Sequence, residues 1–94
     1  MTTINNITSG TSSRQPADAV RDLVADAITE SKISAALRKI GSTRAEMHDQ
    51  ACFGFANLAG RVARINNCSA PSVIESNPMA KAGFWTGVRE ALAA

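Results

Sequence analysis

A chain of 94 residues has room for one domain with a small core, and a net charge of +2 is too weak by itself to imply a nucleic-acid partner. Hydrophobic residues make up 45% of it, but the only aromatics are Phe53, Phe55, Phe84 and Trp85, so the core must rest on aliphatic side chains and alanine. No apolar run approaches the roughly 20 residues of a membrane-spanning helix. No basic and apolar leader of the Sec type follows Met1, so the expectation is a cytoplasmic protein, in a compartment where thiols such as Cys52 and Cys68 are usually reduced, non-classical export aside.

Residues 1–15 are rich in Thr, Ser, Asn and Gly, with Ile4 and Ile7 the only strongly apolar side chains after Met1. Such a stretch buries too little surface to offset its ordering entropy, so a disordered polar tail is expected ahead of a single helical domain at 16–94. The acid-free composition of the tail also fits an export signal of the type III kind.

Pro16 suits a first helical position. Val20, Leu23, Val24, Ala27 and Ile28 then keep the three-four spacing of one helix face, with Asp18, Asp22, Asp26 and Glu30 on the opposite one. Ile33, Leu37 and Ile40 form a second apolar stripe about 150° from the first on a straight helix. One helix cannot aim both at one core, so a break is expected near Glu30–Lys32, with Ser31 as cap. Gly41 should end this second, short helix.

Thr43 and Glu46 are spaced as a capping box opening the longest helix, at about 44–66. Met47, Ala51, Phe55, Leu58, Val62 and Ile65 step along it by 4, 4, 3, 4 and 3, the strongest periodic signal in the chain. Beside this stripe runs a strip of small residues, Ala45, Cys52, Ala56, Ala59 and Ala63, which lets another helix approach closely. Asn66-Asn67 can stop the helix, because Asn tolerates the left-handed conformation. Ser69-Ala70-Pro71 can start a single turn, and Asn77-Pro78 a final helix at about 78–92. Gly83 and Gly87 lie together on one face of that helix and lower its propensity by about 1 kcal/mol each.

The expected fold is therefore all-α: a small bundle of four or five helices around the 44–66 spine. Met47, Phe55, Leu58, Val62, Trp85, Val88 and Leu92 are the candidate core.

Motifs that carry chemistry are missing. His48 and Cys52 lie one turn apart, as a thiolate and its base would, but no orienting acid or oxyanion loop accompanies them. Adding Cys68 gives no metal-ligand spacing of the CxxC or HExxH kind. Gly54 and Gly60 sit inside a helix pattern rather than in a phosphate loop, and no serine has a GxSxG setting. The expectation is a chain without catalytic residues, metal or cofactor. Trp85-Thr86-Gly87 superficially resembles the WxG triplet of the WXG100 helical hairpins. In that family the triplet sits in the turn between two helices, whereas here it lies inside a helix pattern near the chain end, and nothing of the family's function is carried over.

Charge is distributed unevenly. Asp18, Asp22, Asp26 and Glu30 face one cation, Arg21, within 16–31, whereas Lys32, Arg38, Lys39 and Arg44 stand without acids in 32–44. The acidic stripe is a candidate docking surface for a basic partner, and Phe53, on the polar side of the long helix, a candidate interface anchor. The basic segment, followed by a turn and a helix, is the candidate contact for nucleic acid in an alternative reading. The function expected from these features is non-catalytic protein binding, as a small inhibitor, adaptor or accessory subunit that occupies a surface of a larger protein or assembles with itself. Small phage or mobile-element inhibitors of the anti-CRISPR kind have this general character. Secretion-system components and their chaperones share it. The alternative is a small nucleic-acid-associated regulator. Neither a membrane nor a small-molecule substrate is expected as partner.

Overall fold

A computed structural model describes residues 15–93, which are helical with no strand among them. Apart from Gln15, the tail expected at 1–15 lies outside the described residues. Three α-helices, α1 (Pro16–Lys39), α2 (Ala45–Ile65) and α3 (Pro78–Ala93), are linked by a tight turn and by a segment holding a short 3-10 helix, Ser72–Ser76. Among the described residues the expected four or five helices reduce to these three and the single 3-10 turn.

The difference lies in α1, which runs unbroken through the break expected at Glu30–Lys32. The two apolar stripes do not have to meet one core, because the second never enters it. Ile33 and Ile40 are exposed, and Ser34 is the buried residue of that half. Its hydroxyl donates to Asp49 Oδ1 (2.5 Å) and accepts from Arg38 Nη1 (2.5 Å), so a polar group is buried at little cost.

Local signals set the helix ends. The Gln15 N–H donates to Asp18 Oδ2 (3.2 Å) ahead of Pro16. At the far end of α1, Gly41 adopts φ +72°. The Ser42 N–H reaches the Leu37 carbonyl (2.9 Å) and the Gly41 N–H that of Arg38 (3.1 Å), a Schellman stop. Asn67, at φ +56°, ends α2 in the same way, with the Cys68 N–H on the Ala63 carbonyl (2.8 Å). Asn77 caps α3, its Oδ1 accepting the Ala80 N–H (3.0 Å).

The expected Thr43–Glu46 capping box does not form. The residue before α2 is Arg44, itself in helical conformation, so Thr43 is one position too early to cap. The Ser42 hydroxyl takes the Arg44 N–H instead (3.1 Å).

Helix α2 is the spine, packed extensively against both α1 and α3, which touch each other little. The buried core comprises Val20, Val24, Ala27, Cys52, Ala56, Ala59, Ala63, Ile74, Ala80 and Phe84. Of the expected core, Phe55, Val62 and Val88 are half-buried against this cluster, whereas Met47, Leu58, Trp85 and Leu92 are exposed. The small strip of α2, not its large apolar stripe, faces inward.

Candidate functional site

The inversion of α2 follows from how closely α3 approaches it. A methyl built on Gly60 would fall 2.0 Å from the Phe84 carbonyl oxygen, and one on Gly83 2.6 Å from that of Phe53. The two backbones abut, which only glycine on both helices permits. Gly83 meets Phe53 and Ala56, and Gly87 meets Asn57 and Arg61, so α3 runs in the same direction as α2. Asn57, Arg61 and Glu90 latch the contact: Glu90 Oε1 accepts from Asn57 Nδ2 (3.0 Å) and Arg61 Nη2 (2.7 Å). These bonds hold the Glu90 carboxyl below its usual range, Asn57 contributing most.

With α1 and α3 both packed on α2, three of its large apolar side chains are left outside. Met47 is 60% exposed, Leu58 48% and Ile65 75%. Their spacing of 11 and 7 residues puts them within about 20° of one line on the helix, with half-buried Phe55 and Val62 along its margin. The three span about 27 Å on the outer side of the spine, with the exposed Gly54 between Met47 and Leu58 and the exposed Arg61 beside the interval from Leu58 to Ile65.

The acidic stripe is less uniform than its fourfold spacing suggests. Each step of four residues turns about 40°, so Asp18 and Glu30 point about 120° apart. Asp18 engages Arg21 beside the start of α1. Glu30 has swung against α2, where its Oε1 meets His48 Nδ1 at 2.6 Å. Asp22 and Asp26 remain on the exposed part of the stripe. Phe53 is 37% exposed, and its backbone carbonyl forms part of the α3 contact.

The basic residues do not gather. Lys32 and Lys39 lie within about 20° of each other, but Arg38 points about 120° from Lys32. Arg38 is bound to Asp49 through both terminal nitrogens and to Ser34. Arg44 is exposed ahead of α2. Arg38, then Ser34, holds the Asp49 carboxyl at a pKa of about 2.

His48 therefore pairs with Glu30 rather than activating Cys52. Cys52 is fully buried, and burial foremost, aided by the Asp49 and Glu30 charges, pushes its thiol up. That disfavours the thiolate a nucleophile needs. No group of three His, Cys, Asp or Glu among the described residues has the arrangement of a metal site. No helix among them is long and apolar enough to cross a membrane.

Sequence reasoning missed two features. One is the Ser34–Arg38–Asp49 network, whose partners are 11 and 15 residues apart and carry no local signature. The other is an open groove of about 950 Å³ between α1 and residues 67–73. The chain matches no protein-family model, no curated protein and no solved structure in the comparisons made.

Proposed function

We propose that this chain is a non-catalytic protein-binding module: a small inhibitor, adaptor or accessory subunit that docks on a larger protein through its helical surface. One observation carries the reading, the outward alignment of Met47, Leu58 and Ile65 on α2. Single apolar residues on a surface need no explanation, but three exposed large ones aligned on one helix side, with half-buried Phe55 and Val62 beside them, offer a protein partner an apolar face. Two further features support it. The polar networks around Asp49 and Glu90 engage their carboxylates in tying helix to helix, and burial pushes the Cys52 thiol up. The nucleic-acid alternative is weakened by the scatter of Lys32, Arg38, Lys39 and Arg44 and by the pairing of Arg38 with Asp49.

The test is affinity capture by the tagged full chain from lysate of its host, with and without nuclease, repeated with Leu58→Ser plus Ile65→Ser. A stoichiometric protein that survives nuclease and is lost with the double variant is the expected result. Capture that vanishes with nuclease would transfer the function to the basic segment. A protein retained equally by the double variant would remove this apolar face from the argument.

A further inference from the structure

The groove beside α1 has a chemistry of its own. Arg21, Ala25, Ile28 and Lys32 follow one another along α1 at spacings of 4, 3 and 4, which is one continuous line about 16 Å long. Its two ends are cations and its middle is apolar. The opposite wall is the irregular segment 67–73, with Pro71 and the 49%-exposed Val73 facing the same space. No acidic residue lines the groove. Lys32 has no ion-pair partner among the described residues, and the Arg21 guanidinium, with five donors, is only partly used by Asp18.

We propose that this groove is the docking site for an acidic amphipathic helix of a partner protein, one that presents acid, apolar, apolar and acid residues at i, i+4, i+7 and i+11. The inference rests on the protein-binding reading and names a second surface for it. The spacing matches because two helices laid side by side mesh through three-four rows. Charge selects the sign: carboxylates at the two ends would meet Arg21 and Lys32, while the aliphatic side chains between them cover Ala25 and Ile28. A single-headed amphiphile would leave one of the cations, about three turns away, unused. Residues 1–14 of this chain do not fit, since they carry Arg14 and no acid. A second copy fits poorly too, because no two acids on one of its described helices stand 11 residues apart: those of α1, at 18, 22, 26 and 30, are 4, 8 or 12 apart.

The probe is a synthetic helical peptide with Glu, Leu, Leu and Glu at those four positions, titrated with the full chain by fluorescence anisotropy. The comparison peptide carries Lys in place of both Glu. The acidic peptide is expected to bind, more weakly as salt rises, and the basic one not to bind. Lys32→Glu should weaken binding by about tenfold or more through like-charge repulsion. Ala25→Gln, on the exposed side of α1, should weaken it by filling the apolar middle of the groove with a polar side chain that adds no charge. Circular dichroism of both variants should match the parent, since neither position is buried. Equal binding of the two peptides, no binding of the acidic one, or indifference to both variants would each overturn the proposal. If the acidic peptide fails while capture through Leu58 and Ile65 persists, the groove falls and the protein-binding reading stands.

Discussion

Gly87 of α3 lies so close to Asn57 of α2 that a methyl on its Cα would sit 2.0 Å from the Asn57 carbonyl oxygen. The obstacle is backbone, which cannot rotate away as a side chain can. Gly60 stands in the same relation to Phe84. Ala56 lies in this contact and Ala59 and Ala63 are buried with it, whereas Leu58 is left outside.

Gly87→Ala and Gly60→Ala should therefore each destabilise the fold by about 3 kcal/mol or more, because α3 must back away along its length. Gly54, in the same helix as Gly60 but facing open space, is the control. Gly54→Ala should stabilise by about 0.5–1 kcal/mol through helix propensity alone. Urea denaturation of the three variants measures both signs, and an equal response at Gly54 and Gly60 would contradict the packing.

Leu58→Ser tests the inversion of α2 from the other side. A leucine in a packed core costs about 2–5 kcal/mol when truncated to alanine, whereas a surface substitution usually stays within about 0.5 kcal/mol. The 48%-exposed Leu58 should lie near the lower figure, below about 1 kcal/mol, while Phe84→Ala, fully buried, should cost about 3–5 kcal/mol. A large loss at Leu58 in the same unfolding assay would place it in the core after all.

Acid should unfold the protein partly through Asp49. Its carboxyl is held at about 2 in the folded chain by Arg38 and Ser34, against an ordinary value near 3.8. The folded state thus binds its proton less tightly than the unfolded one, so the stabilisation is present above about pH 4 and is lost as pH falls toward 2. Glu90, depressed by Asn57 and Arg61, adds in the same direction. Asp49→Asn should flatten the fall in melting temperature between pH 4 and 2, and an unchanged pH profile would show that the network does not couple to folding.

The two thiols should separate by rate. Cys52 is fully buried with its thiol pushed up by burial, whereas Cys68 is half-buried at the mouth of the α1 groove. Disulfide-exchange reagents at neutral pH should label Cys68 first and Cys52 only on a much slower opening phase. Rapid labelling of both would mean that the core around Cys52 is open.

Much of the local structure was legible in the chain. Gly41 and Asn67 took the left-handed conformation at the ends of α1 and α2, and Asn77-Pro78 started α3, because each acts through groups within a few residues of itself. The small strip on α2 is buried, but of it only Ala56 meets the α3 glycines, which abut the backbone of Phe53 and Asn57 on the side that reads as polar. The candidate interface was only partly readable. Asp18, Asp22, Asp26 and Glu30 are spaced as one stripe, but spacing could not show that Glu30 would be drawn to His48, 18 residues further on. Nor could it show the groove, whose walls are α1 and residues 67–73.

By itself, then, the sequence determined that the described chain is helical and that Gly41, Asn67 and Asn77-Pro78 bound its helices, since caps and left-handed turns act over a few residues. It did not show that α1 runs through Glu30–Lys32. Which side of α2 is inside was a tertiary decision. Its two apolar faces, the large one through Leu58 and the small one through Ala59, are both consistent with a core. The glycines Gly83 and Gly87 on α3 fixed a third side, Phe53–Asn57–Gly60, as the α3 contact, and with α1 also packed on α2 the small face between is buried while Leu58 stays outside. Tertiary packing likewise accounts for the unbroken α1: with the core reached by Val20, Val24 and Ala27, and Ser34 satisfied by Asp49, Ile33 and Ile40 stay outside.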